Sequence, residues 1–202
     1  MISRFLTAFI ALTLSACATP TTDPTRLPEG QWTLDAAHSS VAWQVRHMGL
    51  SWYTGRFDDV TASLEFDPEH PEAAQLTAII EARSVSTGDP DFDTVLALQW
   101  LHSDTHPQII FQSTSIEIAD DTHGRAYGLL TLNGQTIEAV MEIAFYGGVF
   151  NFLEGDEAIG FGADMTIDRN AFNVGNLPHS IVGPDVRIHI EAEFLLQGAT
   201  HD

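Results

Sequence analysis

"HSSVAWQVRHMGLSWYTGRF", residues 38–57, decides the fold. Side chains of an extended chain alternate between two faces. Val41, Trp43, Val45 and His47 therefore share one face, and Ser40, Ala42, Gln44 and Arg46 the other. One face is largely apolar and one is wet, which predicts an antiparallel strand. The run breaks at Gly49 and restarts at Tyr53, reaching Phe57. The apolar face either packs in a solid core or lines a space for a guest.

The same alternation continues on both sides. "QWTLD" reads as a short strand before it; "ASLEF" follows, with Ala62, Leu64 and Phe66 on one face. "LTAIIEAR" aligns Leu76, Ala78, Ile80 and Ala82. After "STGDP" the period changes: Phe92, Val95, Leu96 and Trp100 recur at helical spacing, with Asp89 as N-cap and Pro90 in the first turn. Strands then resume through Ile109 and Phe111. Asn133-Gly134 marks a hairpin between "GRAYGLLTL" and "TIEAVMEIAFYG". Ile137, Ala139, Met141, Ile143 and Phe145 face one way, as do Ile159, Phe161, Ala163, Met165 and Ile167. In the last run Ile188, Ile190, Ala192 and Phe194 face in. Eight to ten antiparallel strands and one helix predict a single-domain barrel or sandwich. An eight-stranded barrel is either filled by side chains or holds one small ligand. The inward faces mix large residues with small ones such as Ala62, Ala139 and Ala163, which fits both.

The charge narrows the partners. The 202 residues carry 28 acids against 8 basic residues, all Arg, for a formal net charge of -20. A nucleic-acid partner is excluded on this balance, because phosphate neutralisation needs a basic surface. An acidic surface also keeps the protein soluble and repels anionic membranes.

Residues 1–17, "MISRFLTAFIALTLSAC", have a basic n-region at Arg4 and an apolar h-region too short to span a bilayer. They end on the chain's only cysteine, and "LSAC" resembles a bacterial lipobox, with Cys17 as the lipidation site. A lone cysteine forms no intramolecular disulfide, and here it stands where a lipoprotein needs a thiol. Ala18 after it favours sorting to the outer membrane over the inner. The expectation is a periplasmic, lipid-anchored protein: signal peptide 1–17, flexible tether 18–30 rich in Pro and Thr, barrel domain 31–197.

No chemistry demands an enzyme. His102 and His106 have helical i, i+4 spacing, but Pro107 ends any helix there and no second cluster completes a metal site. There is no nucleophile elbow and no phosphate-binding loop. Neither metal nor cofactor is expected.

Five motifs in order resemble the YceI-like family: the 35–57 stretch, "ASLEFDPEHPEAAQLTAIIEARSVSTG", "HPQIIFQST", "GLLTLNGQTIEAVMEIAF" and "IGFGADMTIDRNAFNVG". The resemblance runs from Trp32 to Phe194. It implies a mainly β fold, an extended antiparallel eight-stranded lipocalin-like barrel with one helix after Thr87-Gly88. It also implies non-catalytic binding of an apolar isoprenoid lipid, polyprenyl or quinone-like, in the periplasm. The channel lining would then be Val41, Trp43, Val45, Phe57, Leu64, Phe66, Ile80, Phe111, Met141, Ile143, Phe145, Phe161, Met165, Ile188, Ile190 and Phe194. Arg46, His47 and Arg169 are candidates for head-group contacts; for the two arginines a surface ion pair is the competing role. The chain departs from the family where a charged helix start is usual: Asp93 and Leu96 persist, but Phe92, Val95 and Ala97 replace charged or polar residues. The more apolar segment would seal one barrel end or expose a docking patch. The alternative function is an envelope stress-response or protein-interaction module with a packed barrel. The exposed rims are the surface a homodimer would use.

Overall fold

The computed structural model describes residues 19–198. Alternation becomes eleven strands: β1 (Gly30–Leu34), β2 (Ser40–His47), β3 (Ser51–Phe57), β4 (Val60–Phe66), β5 (Gln75–Glu81), β6 (Val85–Ser86), β7 (Gln108–Ile118), β8 (His123–Leu132), β9 (Gln135–Asn151), β10 (Asp156–Asp168) and β11 (Val182–Leu196). Six of these segments are halves of bent strands. A 3-10 turn at Ala36–His38 separates β1 from β2, and another at Ala82–Ser84 separates β5 from β6. Asp58 and Asp59 separate β3 from β4. The breaks lie side by side: the Asp58 amide donates to the Ser84 carbonyl (3.0 Å) and the Glu81 amide to Asp59 (3.0 Å). One fold line thus crosses three neighbouring strands.

Counted as continuous runs, the sheet has eight strands, each paired antiparallel with the next in chain order. β11 closes the ring by pairing with both β1 and β2, for example Phe194 with Leu34 and Ile188 with Trp43. Among the described strands closure leaves only the two-residue β6, paired with β3 alone, without a second neighbour, too short an edge to template aggregation. The expected eight-stranded antiparallel barrel is the observed fold. The predicted hairpin is present too, with Asn133 (φ 50°) and Gly134 (φ 74°) both in the left-handed region that a two-residue turn requires.

One barrel end carries the turn at 48–50, the 133–134 hairpin, the 169–181 loop and helix α1 (Pro90–Val95). Asp89 caps α1, accepting from the Asp91 and Phe92 amides. The expected single regular helix instead widens after Val95 into a π turn, Leu96–Trp100, closed by the Leu101 amide on the Leu96 carbonyl (2.9 Å). An i→i+5 turn brings residues five apart onto one side. Leu96 and Leu101 are consequently both buried against the barrel.

Beside β1 and β10 the opposite end is filled by Trp32, which is fully enclosed, together with Leu27 and Ile159. Leu27 falls in the segment expected to be a flexible tether. That segment is docked. Thr21 exchanges backbone hydrogen bonds with Gly148 of β9 (2.8 and 2.9 Å), and Asp23 caps a 3-10 turn at Pro24–Arg26. The Gly147-Gly148 pair permits this. A Cβ on Gly147 (φ 112°) would stand 2.7 Å from the Thr21 carbonyl oxygen, and one on Gly148 2.4 Å from Leu27. Proline and threonine content signals no periodic structure, but buried Leu27 and the Thr21–Gly148 bridge hold the segment. Cys17 lies outside the described residues.

Candidate functional site: an apolar cavity in the barrel

The inward faces leave a cavity of about 620 Å³, within the usual range for small-molecule sites. All sixteen residues expected to line a channel do face it. Several inward residues, Trp43, Phe57, Ile143, Phe145, Phe161, Ile188 and Ile190 among them, are only half-buried although they point away from bulk solvent. Their unburied surface faces the cavity. A barrel packed solid, as the alternative reading requires, would have covered it.

Aromatic groups stand at each end of this space. Near the Trp32 end Phe161 lies between Phe145 (centroids 5.2 Å) and Phe194 (6.1 Å). At the helix end Tyr53 links Trp43 (6.2 Å) to Phe92 (5.8 Å), and Phe92 meets Trp100 edge-on (6.2 Å). Phe92, Leu96, Trp100 and Leu101 all line the cavity. The segment that departs from the family pattern therefore forms part of the cavity wall at the helix end. Close approach shapes the wall as well: a Cβ on Gly55 would stand 2.2 Å from the Trp43 indole.

The expected head-group residues separate. His47 is exposed and lines the cavity. Arg46 does not; it lies on the outer face of β2, 5.0 Å over the Trp52 ring, which Arg187 also approaches at 4.1 Å. It donates to the Gly49 carbonyl. The alternation that points Val45 and His47 inward points Arg46 outward. Arg169 is only 2% exposed, and its donors are fully engaged. Nε donates to Gly183 O (2.9 Å), Nη1 to Val174 O and Gly175 O (3.0 and 3.1 Å), and Nη2 to Leu177 O and Val182 O (2.7 and 2.9 Å). Burial lowers its pKa from the ordinary guanidinium value, with Asp168 opposing. An arginine with five donors spent on carbonyls has none left for a ligand and makes no surface ion pair. Its role is to clasp the 174–183 loop over the barrel end.

The comparisons with known proteins agree with this geometry. Residues 32–194 match the model of the YceI-like domain. The chain belongs to the YceI-like family. A UPF0312 protein of Pectobacterium atrosepticum is 30% identical over 146 residues, covering 69% of this chain and 72% of that protein. The crystal structure of the Campylobacter jejuni YceI protein is 25% identical, with a TM-score of 0.68 and coverage of 76% and 90%. BcnA of Burkholderia cenocepacia shares the fold at a TM-score of 0.71 and 24% identity, covering 79% of this chain and 98% of that one. A polyisoprenoid binding domain from Saccharophagus degradans shares it at 0.58 and 12%, covering 84% and 99%.

This YceI-like barrel reaches its surface along an acidic rim. Beside the β7–β8 turn the cavity is lined by half-exposed Ile118 and by Asp120, Asp121 and His123. The Thr122 amide and then the His123 side chain hold the Asp120 carboxyl down to about 2. Among the described residues, Asp35, His38 and Glu193 have donor atoms within 4.8 Å of one another on the fold line. His38 Nδ1 is already bound to Asp35 Oδ2 at 2.7 Å.

Several lining residues were not anticipated. Tyr53 shares a face with Phe57 at even spacing on β3, so alternation could have found it. Leu34 follows in the same way from Trp32 on β1. Val174 sits in an irregular loop, and no period marks it.

Proposed function

We propose that this protein binds an apolar isoprenoid-type lipid, polyprenyl or quinone-like, in its barrel and sequesters or carries it without covalent chemistry. The observation that carries this is the set of inward apolar side chains left half-buried around the cavity. A long hydrocarbon tail would cover that surface, gaining about 0.8 kcal/mol per buried CH₂. The polyisoprenoid binding domain that shares the fold supports the ligand class. The acidic rim favours a neutral head group over an anionic one, since carboxylates at the mouth repel phosphate. The "LSAC" motif supports lipid anchoring at Cys17 in the periplasm, on the outer membrane. The test is gentle purification of the full chain, native mass spectrometry and organic extraction. A stoichiometric prenyl-type lipid is expected. At a hundredfold excess of free ligand over Kd, an added prenol or quinone should contribute about 2.7 kcal/mol of stability. An empty protein that gains no thermal stability from either would overturn the proposal.

A further inference from the structure

The β9–β10 hairpin ends in an unusual tip. Turns favour Gly, Pro, Asn, Asp and Ser, yet this one presents Phe152, 74% exposed, and Leu153, 95% exposed. The tip is built to hold them out. The Asn151 side-chain oxygen accepts from the Leu153 and Glu154 amides (3.0 and 3.4 Å). The Gly155 amide closes the turn on the Asn151 carbonyl at 2.7 Å. Phe150 supports Phe152 edge-on, with centroids 5.1 Å apart.

The N-terminal segment is docked on the same strand. Thr21 pairs with Gly148, and the bridge is antiparallel. Thr19 and Pro20, just upstream of Thr21, therefore head in the direction β9 takes toward its tip. Cys17 lies four positions before Thr21, a span of at most about 14 Å. Phe152 lies four positions beyond Gly148, about 13 Å along an extended strand. The lipid acceptor and the apolar tip can thus reach one plane.

We propose that the tip, Phe152 and Leu153, is a second membrane contact that inserts beside the lipidated Cys17 and orients the barrel. The occupant is the interface of a zwitterionic leaflet. Aromatic and aliphatic side chains suit that depth, while Glu154, Asp156 and Glu157 next to the tip oppose an anionic surface. The cavity opening at the β7–β8 turn lies at this same barrel end. The inference rests on the lipid-anchor reading above.

The test uses the mature protein, lipid-modified at Cys17, in phosphatidylcholine vesicles. Leu153→Cys and, at the opposite end, Leu50→Cys each carry an NBD fluorophore; lipid-modified Cys17 leaves the introduced thiol as the sole labelling site. Leu50 is 81% exposed, so neither change disturbs the core. The expected result is a blue shift at Leu153→Cys, quenched by spin-labelled lipid, with Leu50→Cys remaining aqueous. Protein that floats with the vesicles but leaves both probes aqueous overturns the contact and spares the anchor. A blue shift without lipid quenching means a second copy of the chain covers the tip, and also overturns it. An unmodified Cys17 by intact mass, with no flotation, overturns the anchor and the contact together.

Discussion

Replacing Arg169 by Met tests the buried clasp directly. The substitution keeps an unbranched apolar stem and removes five hydrogen bonds to carbonyls of the 174–183 loop. A hydrogen bond from a charged donor contributes roughly 1.5–3 kcal/mol. The five do not add, because much of the loop is exposed and its freed carbonyls regain water. The loss of one partner of a buried charged group, about 3–5 kcal/mol, is the better guide. For a domain of this size about 1 kcal/mol corresponds to roughly 2–4 °C in Tm. Thermal and urea unfolding followed by circular dichroism should therefore show a drop of about 6–20 °C. Arg169→Lys should recover little of it, since an ammonium offers three donors and no planar fork. A change below about 1 kcal/mol, accompanied by weaker lipid binding, would refute the clasp and restore Arg169 as a head-group contact.

Three further outcomes follow from the same geometry. Ala163 is half-buried and faces the cavity; Ala163→Phe should fill it, keep the fold and weaken lipid binding at least tenfold, about 1.4 kcal/mol, as read by native mass spectrometry. Leu27→Ala should cost about 2–5 kcal/mol in denaturant unfolding, whereas a free tether would make it neutral. His189 bridges Asp164 (2.8 Å) and Glu191 (3.0 Å), and its pKa is raised by the Asp164 hydrogen bond first, with Glu191 adding and burial opposing. A raised pKa stabilises the fold fully below the unfolded value of 6.5, and the gain is lost as pH rises through the folded pKa. His189→Gln should thus be less stable than the parent near pH ~5 and equal to it near pH ~9, where the imidazole is neutral in both states. Solvent exposure of the pair keeps the difference small, so chemical unfolding at matched ionic strength is the assay.

The far-reaching part of this fold was local. A period of two is written into each strand separately, so Val41, Trp43 and Val45, or Ile143 and Phe145, identify their own inward face without knowledge of the partner strand. Asn133-Gly134 and Asp89-Pro90 likewise state their turn and helix start in two residues each. The same logic placed Arg46 opposite His47, and following it strictly would have removed Arg46 from the cavity. What tertiary structure alone decided is of a different kind. The cavity is the difference between the space eight closed strands enclose and the volume of the side chains pointing into it, a sum over the whole ring. Arg169 found its partners in backbone carbonyls, which every residue carries and no side-chain pattern reveals. Leu27 is held because the Gly147-Gly148 pair leaves room for it on β9, more than a hundred residues along the chain. Sequence fixes which way a side chain points; only the closed barrel determines what it meets there.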